Sequence, residues 1–248
     1  MKKKINFLIV GAQKSGTTAL DAYLRLHPEI CMASEKEVHF FDNEAFFAQE
    51  PVDYSIYHKT FAPNARHKLL GECTPIYMYW HDAPKRIWQY NPEMKIIIIL
   101  RNPIERAFSH WNMERCRNAE HLSFWDAISN EQQRCQETLP FQHRVFSYLD
   151  RGFYVKQLQK IWQFFPKQNT LVLRHEDLRK QHSKTLADVF CFLGIEEMSG
   201  FDEQVVFSIP YQSEMTQQEK MLLLGIFRDE ILNIERLLDW DCSDWMIK

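Results

Sequence analysis

The stretch Ile9-Val10-Gly11-Ala12-Gln13-Lys14-Ser15-Gly16-Thr17-Thr18-Ala19-Leu20 decides the fold of this chain. The apolar run Ile5–Val10 predicts a buried strand, and Thr18–Leu26 carries apolar residues at helical spacing. A loop bounded by glycines between a strand and a helix directs backbone N–H groups and the positive end of the helix dipole toward one point. Lys14 adds a full positive charge there. The stretch therefore predicts a site for a phosphate-like anion.

This loop differs from the loop of nucleoside triphosphatases, GxxxxGK[ST]. In that motif the lysine follows the second glycine, and the next Ser/Thr holds Mg²⁺. Here Lys14 stands two residues before Gly16, and Thr17 and Thr18 follow the glycine. We therefore expect a phosphate-like group to bind without obligatory magnesium. The alternative interpretation is an ordinary strand-to-helix turn with a solvated lysine.

The rest of the chain alternates between short apolar runs and amphipathic segments. Further strands are predicted at Lys68–Gly71, Ile96–Leu100 and Thr170–Leu173, and further helices at Pro103–Arg117, Tyr154–Phe165, Thr185–Leu193 and Gln217–Leu238. Such alternation predicts an α/β fold, a three-layer sandwich with a central parallel sheet and a strand-loop-helix of the P-loop type. Because no repeat or linker divides the sequence, we expect a single domain over residues 1–248.

The composition excludes several classes of protein. Of 248 residues, 45% are hydrophobic and 25% charged, as in ordinary globular proteins. The net charge of −3 argues against a nucleic-acid partner, because phosphate backbones favour basic surfaces. No apolar run approaches the roughly 20 residues of a membrane span. The apolar run after the N-terminal lysines is too short for a secretion signal, and the six cysteines lack metal-type spacing, so we expect a cytoplasmic protein with reduced thiols.

A second candidate element begins at Arg101, directly after the strand Ile96–Leu100. Ligands of open α/β sheets bind at the carboxyl ends of the strands. If a helix starts at Pro103, Ser109 lies about 10 Å along it. A guanidinium group makes planar two-point contacts with phosphate, and the Ser109 hydroxyl adds a further donor. Taken alone, an arginine directly after a strand is more often structural, but together with the first loop this element indicates a ligand with two separated phosphates.

The third candidate is the acidic segment, Ser34–Phe41. Strand-like alternation would place Glu37 and His39 on the same side of an extended chain. A carboxylate in apolar surroundings has a raised pKa and can act as a general base toward a hydroxyl. The alternative interpretation is a solvated strand edge without a chemical role.

Together these three segments resemble the sulfotransferases that use 3′-phosphoadenosine 5′-phosphosulfate (PAPS), especially the heparan sulfate branch and its bacterial relatives. The matching stretches are GAQKSGTTAL (Gly11–Leu20), EKEVHFF (Glu35–Phe41) and LRNPIERAFS (Leu100–Ser109), with further similarity at Gly71–Pro75, Arg151–Tyr154 and Glu176–Leu178. The resemblance spans roughly residues 5 to 195. It implies a sulfotransferase with PAPS as co-substrate and no required metal.

The resemblance also implies roles for individual residues. Lys14 would stabilise the leaving phosphate, and Glu37 would be the catalytic base. His39 is the main competitor for the base, because the ordinary histidine pKa of about 6.5 suits proton transfer near neutral pH. The residues implied to bind the 5′-phosphosulfate are Lys14, Ser15, Gly16, Thr17 and Thr18, and those implied to bind the 3′-phosphate are Arg101 and Ser109.

Two departures from the family pattern bear on the substrate. Cys73 stands where several relatives have a lysine at the reacting centre. No Lys or Arg occurs between Gly200 and Gln218, where heparan-type members clamp the nucleotide with a basic loop. Ser208 and Tyr211 lie in that stretch without an assigned role. Since this stretch lacks basic residues and the chain is acidic overall, we expect a small or neutral acceptor such as a sugar, a lipid or a secondary metabolite. Transfer to a hydroxyl group is the leading hypothesis, and transfer to an amine is the alternative.

Two other functions compete with this one. A small-molecule kinase could use the same strand-loop-helix, but Lys14 precedes Gly16 and no Asp ends the strand Ile96–Leu100 to organise Mg²⁺. A nucleotide-binding module without catalysis is the other alternative, and Glu37 argues against it. The sequence carries no indication of oligomeric state.

Overall fold

The computed structural model describes residues 4–198, 200 and 210–246. The chain divides into two compact units. The first is built from residues within 1–100 and 160–207, and the second from residues within 101–159 and 208–248. The expectation of a single domain stays a prediction.

The first unit contains a parallel sheet of five strands. The strands are β1 (Phe7–Gly11), β2 (Ile30–Met32), β3 (Leu69–Cys73), β4 (Lys95–Leu100) and β5 (Thr170–Arg174). Their order is β2-β3-β1-β4-β5, and every neighbouring pair is parallel. The predicted α/β fold with a parallel sheet is therefore confirmed. Because the chain builds β2 and β3 on one side of β1 and β4 and β5 on the other, the carboxyl end of β1 is a switch point of the kind where ligands bind.

The helices follow the apolar periodicity of the sequence. They are α1 (Thr17–Leu26), α2 (Ser55–His58), α3 (Ala83–Tyr90), α4 (Pro103–Cys116), α5 (Phe124–Ser129), α6 (Glu131–Gln136), α7 (Tyr154–Phe164), α8 (His175–Lys180), α9 (His182–Leu193) and α10 (Gln217–Leu238). Within the described residues, no helix combines the length and the apolar character needed to cross a membrane. The six cysteines are all described, and none forms a disulfide.

The core of the first unit holds the start of α1 in place. Phe7 and Ile9 from β1 and Ile97 and Ile99 from β4 are fully buried in one apolar cluster. The same cluster contains residues of α1 and α9, among them Leu20, Leu24, Val189 and Phe190. Burial of such side chains stabilises the fold by about 1.5–3 kcal/mol each. The loop between β1 and α1 therefore has two rigid ends.

In the second unit α10 packs against α4 and the segment that precedes α7. A Cβ added to Gly152 would lie 2.6 Å from the ring of Phe227, so only glycine permits this approach of α10. The Val155 N–H donates to Glu230 Oε1 at 2.7 Å, and the Tyr154 hydroxyl donates to the Arg101 carbonyl at 2.8 Å. These contacts fix the backbone at the start of α4.

Candidate functional site

The glycine loop, Gly11–Gly16, connects β1 to α1 through a tight backbone path. The Ala12 N–H donates to the Ile99 carbonyl at 2.8 Å, and the Ser15 N–H donates to the Ala12 carbonyl at 3.2 Å. Lys14 and Gly16 have left-handed backbones, with φ of 70° and 91°. Glycine has no Cβ to oppose such a conformation, and at Gly16 it sets the direction in which α1 begins. The predicted strand-loop-helix is therefore present.

The polar groups of this loop fit an anion. Ser15 is fully buried, and its Oγ has no hydrogen-bond partner among the described residues. Buried hydroxyls in native proteins are hydrogen-bonded, so a hydroxyl without a partner among the described residues is free to bind a ligand oxygen or a water. The first turn of α1 has no acidic residue and no side-chain cap, which leaves the positive end of its dipole without a carboxylate. Thr17 is buried at this turn, Thr18 is exposed, and Lys14 is partly exposed.

His175 lies against the glycine loop, and sequence reasoning missed it. A Cβ added to Gly16 would lie 3.0 Å from His175 Cδ2. His175 directly follows β5, just as Arg101 directly follows β4. A polar residue directly after a strand singled out Arg101, and the same signal could have found His175.

The acidic segment is not an extended strand, so that expectation is wrong. Glu37 and His39 have left-handed backbones with φ of 62° and 53°. The two side chains nevertheless lie together, with His39 Nε2 3.5 Å from Glu37 Oε2. The Glu37 N–H donates to the Cys73 carbonyl at 3.0 Å. This bond ties the segment to the carboxyl end of β3.

Asp42 makes His39 a cation. His39 Nδ1 donates to Asp42 Oδ2 at 2.9 Å, and the Asp42 side chain is fully buried. This hydrogen bond, together with the contact to Glu37, raises the pKa of His39 to about 9. At neutral pH the imidazole is therefore protonated. His39 therefore lacks the ordinary histidine pKa on which its candidacy as the catalytic base depended.

Glu37 is held in its ionised form. Burial acts to raise the pKa of this carboxyl group, but the hydrogen bond from His39 and the charge of Lys36 outweigh it and lower the pKa to about 2. Lys36 Nζ lies 2.7 Å from Glu37 Oε1. The expectation of a raised pKa in apolar surroundings is therefore wrong, because two cations flank the carboxylate. Of the two candidate bases, only Glu37 can accept a proton at neutral pH.

Cys73 is a buried neutral thiol beside these groups. Its Sγ donates to the Thr17 carbonyl at 3.6 Å, and burial raises the pKa of the thiol. Burial acts to lower the pKa of Lys36, but its interactions with Cys73 and Glu37 outweigh this and raise it. Lys36 is thus a charged ammonium group next to the candidate base.

Lys36 and Asp42 are the residues of this cluster that sequence reasoning did not select. Lys36 directly precedes Glu37, and Asp42 stands three residues after His39. Lys36 lies within the acidic segment, and Asp42 follows its last residue. A half-buried charge requires a charged or hydrogen-bonding partner close by, and this rule could have identified both residues.

The second predicted phosphate element lies in the other unit, at the start of α4. The Asn102 side chain caps the helix by accepting from the Ile104 N–H at 3.0 Å, and Pro103 is its first residue. The Arg101 side chain is 17% exposed, and its Nη2 lies 2.8 Å from Glu105 Oε2. Ser109 is buried on the same helix. Ser208 lies outside the described residues, whereas Tyr211 is described and hydrogen-bonds to Arg101.

A family model and several known proteins match this chain. The family model described as "Sulfotransferase domain" matches residues 4–225. The chain is 30% identical over 209 residues to the mouse bifunctional heparan sulfate N-deacetylase/N-sulfotransferase 3, a match that covers 81% of this chain and 23% of that protein. It is 29% identical over 200 residues to the human heparan sulfate glucosamine 3-O-sulfotransferase 6, over 77% of this chain and 52% of the relative. The chain thus spans only part of the length of these curated relatives.

A solved structure matches over almost the full length. The crystal structure of a sulfotransferase from Alicyclobacillus acidocaldarius superposes with a TM-score of 0.84 at 27% sequence identity. The match covers 99% of this chain and 100% of that one. The chain therefore shares its fold with a solved bacterial sulfotransferase.

Proposed function

Since the chain belongs to the sulfotransferase domain family, we propose that it transfers the sulfuryl group of PAPS to a hydroxyl group of a small or neutral acceptor. The observation that carries this proposal is the cluster around Glu37. A carboxylate that stays ionised between Lys36 and His39 can accept a proton but cannot donate one at neutral pH.

Two elements support PAPS as the donor. The glycine loop offers Lys14, the orphaned Ser15 hydroxyl and the start of α1 to the 5′-phosphosulfate. Gly16, Thr17 and Thr18 complete this binding element. Arg101 and Ser109 are proposed to bind the 3′-phosphate.

The reaction is an in-line transfer. The acceptor oxygen forms a bond to sulfur while the bond between sulfur and the bridging oxygen of the 5′-phosphate breaks. The products are a sulfate ester and 3′-phosphoadenosine 5′-phosphate (PAP), and the hydroxyl proton goes to Glu37. Lys14 stabilises the negative charge that develops on the departing phosphate oxygen. A preorganised cation at such a position is worth several kcal/mol in the transition state.

The low pKa of Glu37 sets the timing of proton transfer. A carboxylate with a pKa of about 2 is a weak base toward a free hydroxyl group. Formation of the new sulfur–oxygen bond makes the hydroxyl proton strongly acidic. Glu37 therefore takes the proton late in the step. The His39 imidazolium, fixed by Asp42, orients the carboxylate and does not act as the base.

The distribution of charge supports a small or neutral acceptor. The chain carries a net charge of −3, and residues 201–217 contain no Lys or Arg. Glu35 is an exposed carboxylate close in sequence to Glu37. The net negative charge and the absence of basic residues from that stretch disfavour a long polyanion, whereas a sugar, a lipid head group or a secondary metabolite meets no such penalty.

Thermal unfolding with PAP, ADP and Mg-ATP in separate samples tests the proposal. A ligand at 100 times its Kd stabilises the folded state by about 2.7 kcal/mol. For a chain of this size that is a rise in Tm of roughly 5–10 °C. We expect this rise with PAP in the presence of EDTA. A rise with Mg-ATP alone would contradict the proposal and favour a kinase.

Turnover with a panel of acceptors separates an enzyme from a binding module. The panel contains neutral sugars, a lipid with a free hydroxyl and a heparan-type polysaccharide, and the readout is release of PAP. We expect activity with at least one neutral hydroxyl acceptor. PAP binding without turnover on any of them would favour the non-catalytic module.

A further inference from the structure

Asn112 fastens the segment Pro210–Gln212 onto α4. Its Nδ2 donates to the Pro210 carbonyl at 3.2 Å, and its Oδ1 accepts from the Gln212 N–H at 3.1 Å. Asn112 is 1% exposed, so both bonds are shielded from water. Residues three and four apart on a helix are neighbours, which places Asn112 next to Ser109 and Phe108. The segment therefore lies over the part of α4 that carries Ser109.

Tyr211, at the centre of this segment, contacts two residues of the second phosphate element. Its ring stacks on Phe108, with centroids 5.4 Å apart and planes at 11°. Its hydroxyl oxygen accepts a hydrogen bond from the Arg101 guanidinium. Glu105 is bound to Nε and Nη2 of the same guanidinium, at 3.1 and 2.8 Å. Half of Tyr211 remains exposed despite these contacts.

The hydroxyl proton of Tyr211 is the feature that points to a ligand. A phenol that accepts a hydrogen bond still has its own proton to donate. The Arg101 guanidinium, which donates to this oxygen, carries a positive charge that attracts an anion. Packing on Phe108 needs only the ring and would be served equally by phenylalanine. Residues 201–217 include no Lys or Arg, so Tyr211 offers a hydrogen-bond donor there without a positive charge.

We propose that Tyr211 binds the 3′-phosphate of the nucleotide, donating its hydroxyl proton to a phosphate oxygen that Arg101 and Ser109 also hold. This assignment rests on the proposed function, because it takes PAPS as the donor. Hydrogen bonds to charged groups contribute enough to change an affinity by about tenfold or more. Tyr211 thereby contributes to discrimination between nucleotides with and without the 3′-phosphate.

Calorimetry with PAP and AMP, which differ only in the 3′-phosphate, tests this proposal. For Tyr211→Phe we expect PAP to bind about tenfold more weakly and AMP to bind as it does to the unchanged protein. Asn112→Ala releases the segment and is expected to give the same selective loss. Tyr54→Phe, at a partly exposed tyrosine in the other unit, is the matched control and should change neither affinity.

A second experiment separates direct contact from an effect through Arg101. In the Arg101→Met background, Tyr211→Phe should still weaken PAP binding. If the loss disappears in that background, Tyr211 acts only by positioning Arg101 and the proposal is overturned. Equal losses for PAP and AMP, or no loss for either, overturn it as well. Failure of the proposed function itself has a different signature, since the unchanged protein would then not prefer PAP to AMP.

Discussion

The glycine loop and the acidic segment prepare their chemistry in different ways. The loop presents backbone groups, a buried hydroxyl and the end of a helix dipole, fixed by the left-handed backbone at Gly16. The acidic segment presents side chains whose charges depend on one another, from Lys36 and Glu37 to His39 and Asp42. Fixed dipoles keep their charge across pH, whereas coupled charges do not. We therefore expect the loop to govern affinity for the nucleotide and, through Lys14, part of the rate, and the segment to govern the pH dependence of the rate.

The largest effect is expected for Glu37→Gln. Glutamine keeps the shape of the side chain but cannot take the proton, and loss of a general base lowers kcat by about 10²–10⁴-fold. The affinity for PAP should stay unchanged, because the loop is intact. A PAP-release assay gives kcat, and calorimetry on the same preparation gives the affinity for PAP.

Glu35→Gln is the matched control for that variant. Glu35 is an exposed carboxylate two positions away, and we expect nearly full activity when it is replaced. If Glu37→Gln retained more than a tenth of the activity, the carboxylate would not be the base.

The next effect is expected for Lys14→Met. Removal of one preorganised group that stabilises transition-state charge lowers kcat by about 10²–10³-fold. Lys14→Arg should recover part of this rate, since it restores the charge with a different shape. Lys59→Met, at an exposed lysine of the same unit, is the control.

The separate values of kcat and KM show what Lys14 does. A fall in kcat places its interaction in the transition state, whereas a rise in KM alone would mean uniform binding of substrate and transition state. The second result would reduce the loop to a pure binding element and contradict its proposed role at the leaving group.

Gly16→Ala tests whether the loop depends on its backbone. Its φ of 91° is unfavourable for alanine, and the new Cβ would lie 3.0 Å from His175 Cδ2. A left-handed backbone costs a residue with a Cβ roughly 1–2 kcal/mol. We expect Tm to fall by several degrees and PAP binding to weaken, as measured by thermal unfolding with and without PAP.

Gly225→Ala is the opposite case and serves as control. Gly225 lies inside α10, and nothing lies within 4 Å of an added Cβ. Alanine is favoured over glycine in a helix interior by about 1 kcal/mol. This variant should be as stable as the unchanged chain or more so. Equal behaviour of the two variants would show that the loop does not need its glycine.

The same contrast explains how far the sequence could predict the molecule. The sequence predicts the glycine loop together with β1 and α1, because glycine positions, an apolar strand and helical spacing are local signals. The bounds predicted for α10 agree with the structure, and those for α4 and α7 differ by one residue at the end. The three-residue strand β2 was missed, because so short an apolar run does not stand out.

The acidic segment was predicted in its residues but not in its geometry. Alternation of polar and apolar side chains suggested a strand, whereas Glu37 and His39 have left-handed backbones tied to the end of β3. The pKa of Glu37 was expected to rise. Its direction depends on Lys36 and on the His39–Asp42 pair, contacts that only the folded chain brings to the carboxylate. Pattern reasoning predicts which side chains are present, but not which charges face each other.

The smallest effect, and the most specific one, is expected for Asp42→Asn. Without the buried carboxylate the pKa of His39 should fall from about 9 toward its ordinary value of 6.5, which an NMR titration of the imidazole measures. At pH 8 a smaller share of the imidazole is then protonated, so it orients Glu37 less effectively. We expect kcat to fall by about tenfold, the size of one lost charge-assisted hydrogen bond.

Two pH dependences separate this positioning role from simple damage to the fold. The activity of Asp42→Asn should recover in part at pH 5.5, where His39 is protonated again, while a merely distorted site would stay impaired.

In the unchanged chain the raised pKa of His39 adds stability that is fully present below pH 6.5 and is lost as the pH rises through about 9. The stability difference from His39→Gln should therefore be largest between about pH 4.5 and 6.5, shrink in alkali as His39 loses its proton, and shrink below pH 4.5 as Glu37 approaches its pKa of about 2. Because the His39 side chain is 42% exposed, water screens the pair and the difference should be modest. A difference that did not change with pH would mean that His39 is not the cation that sets the charge of Glu37.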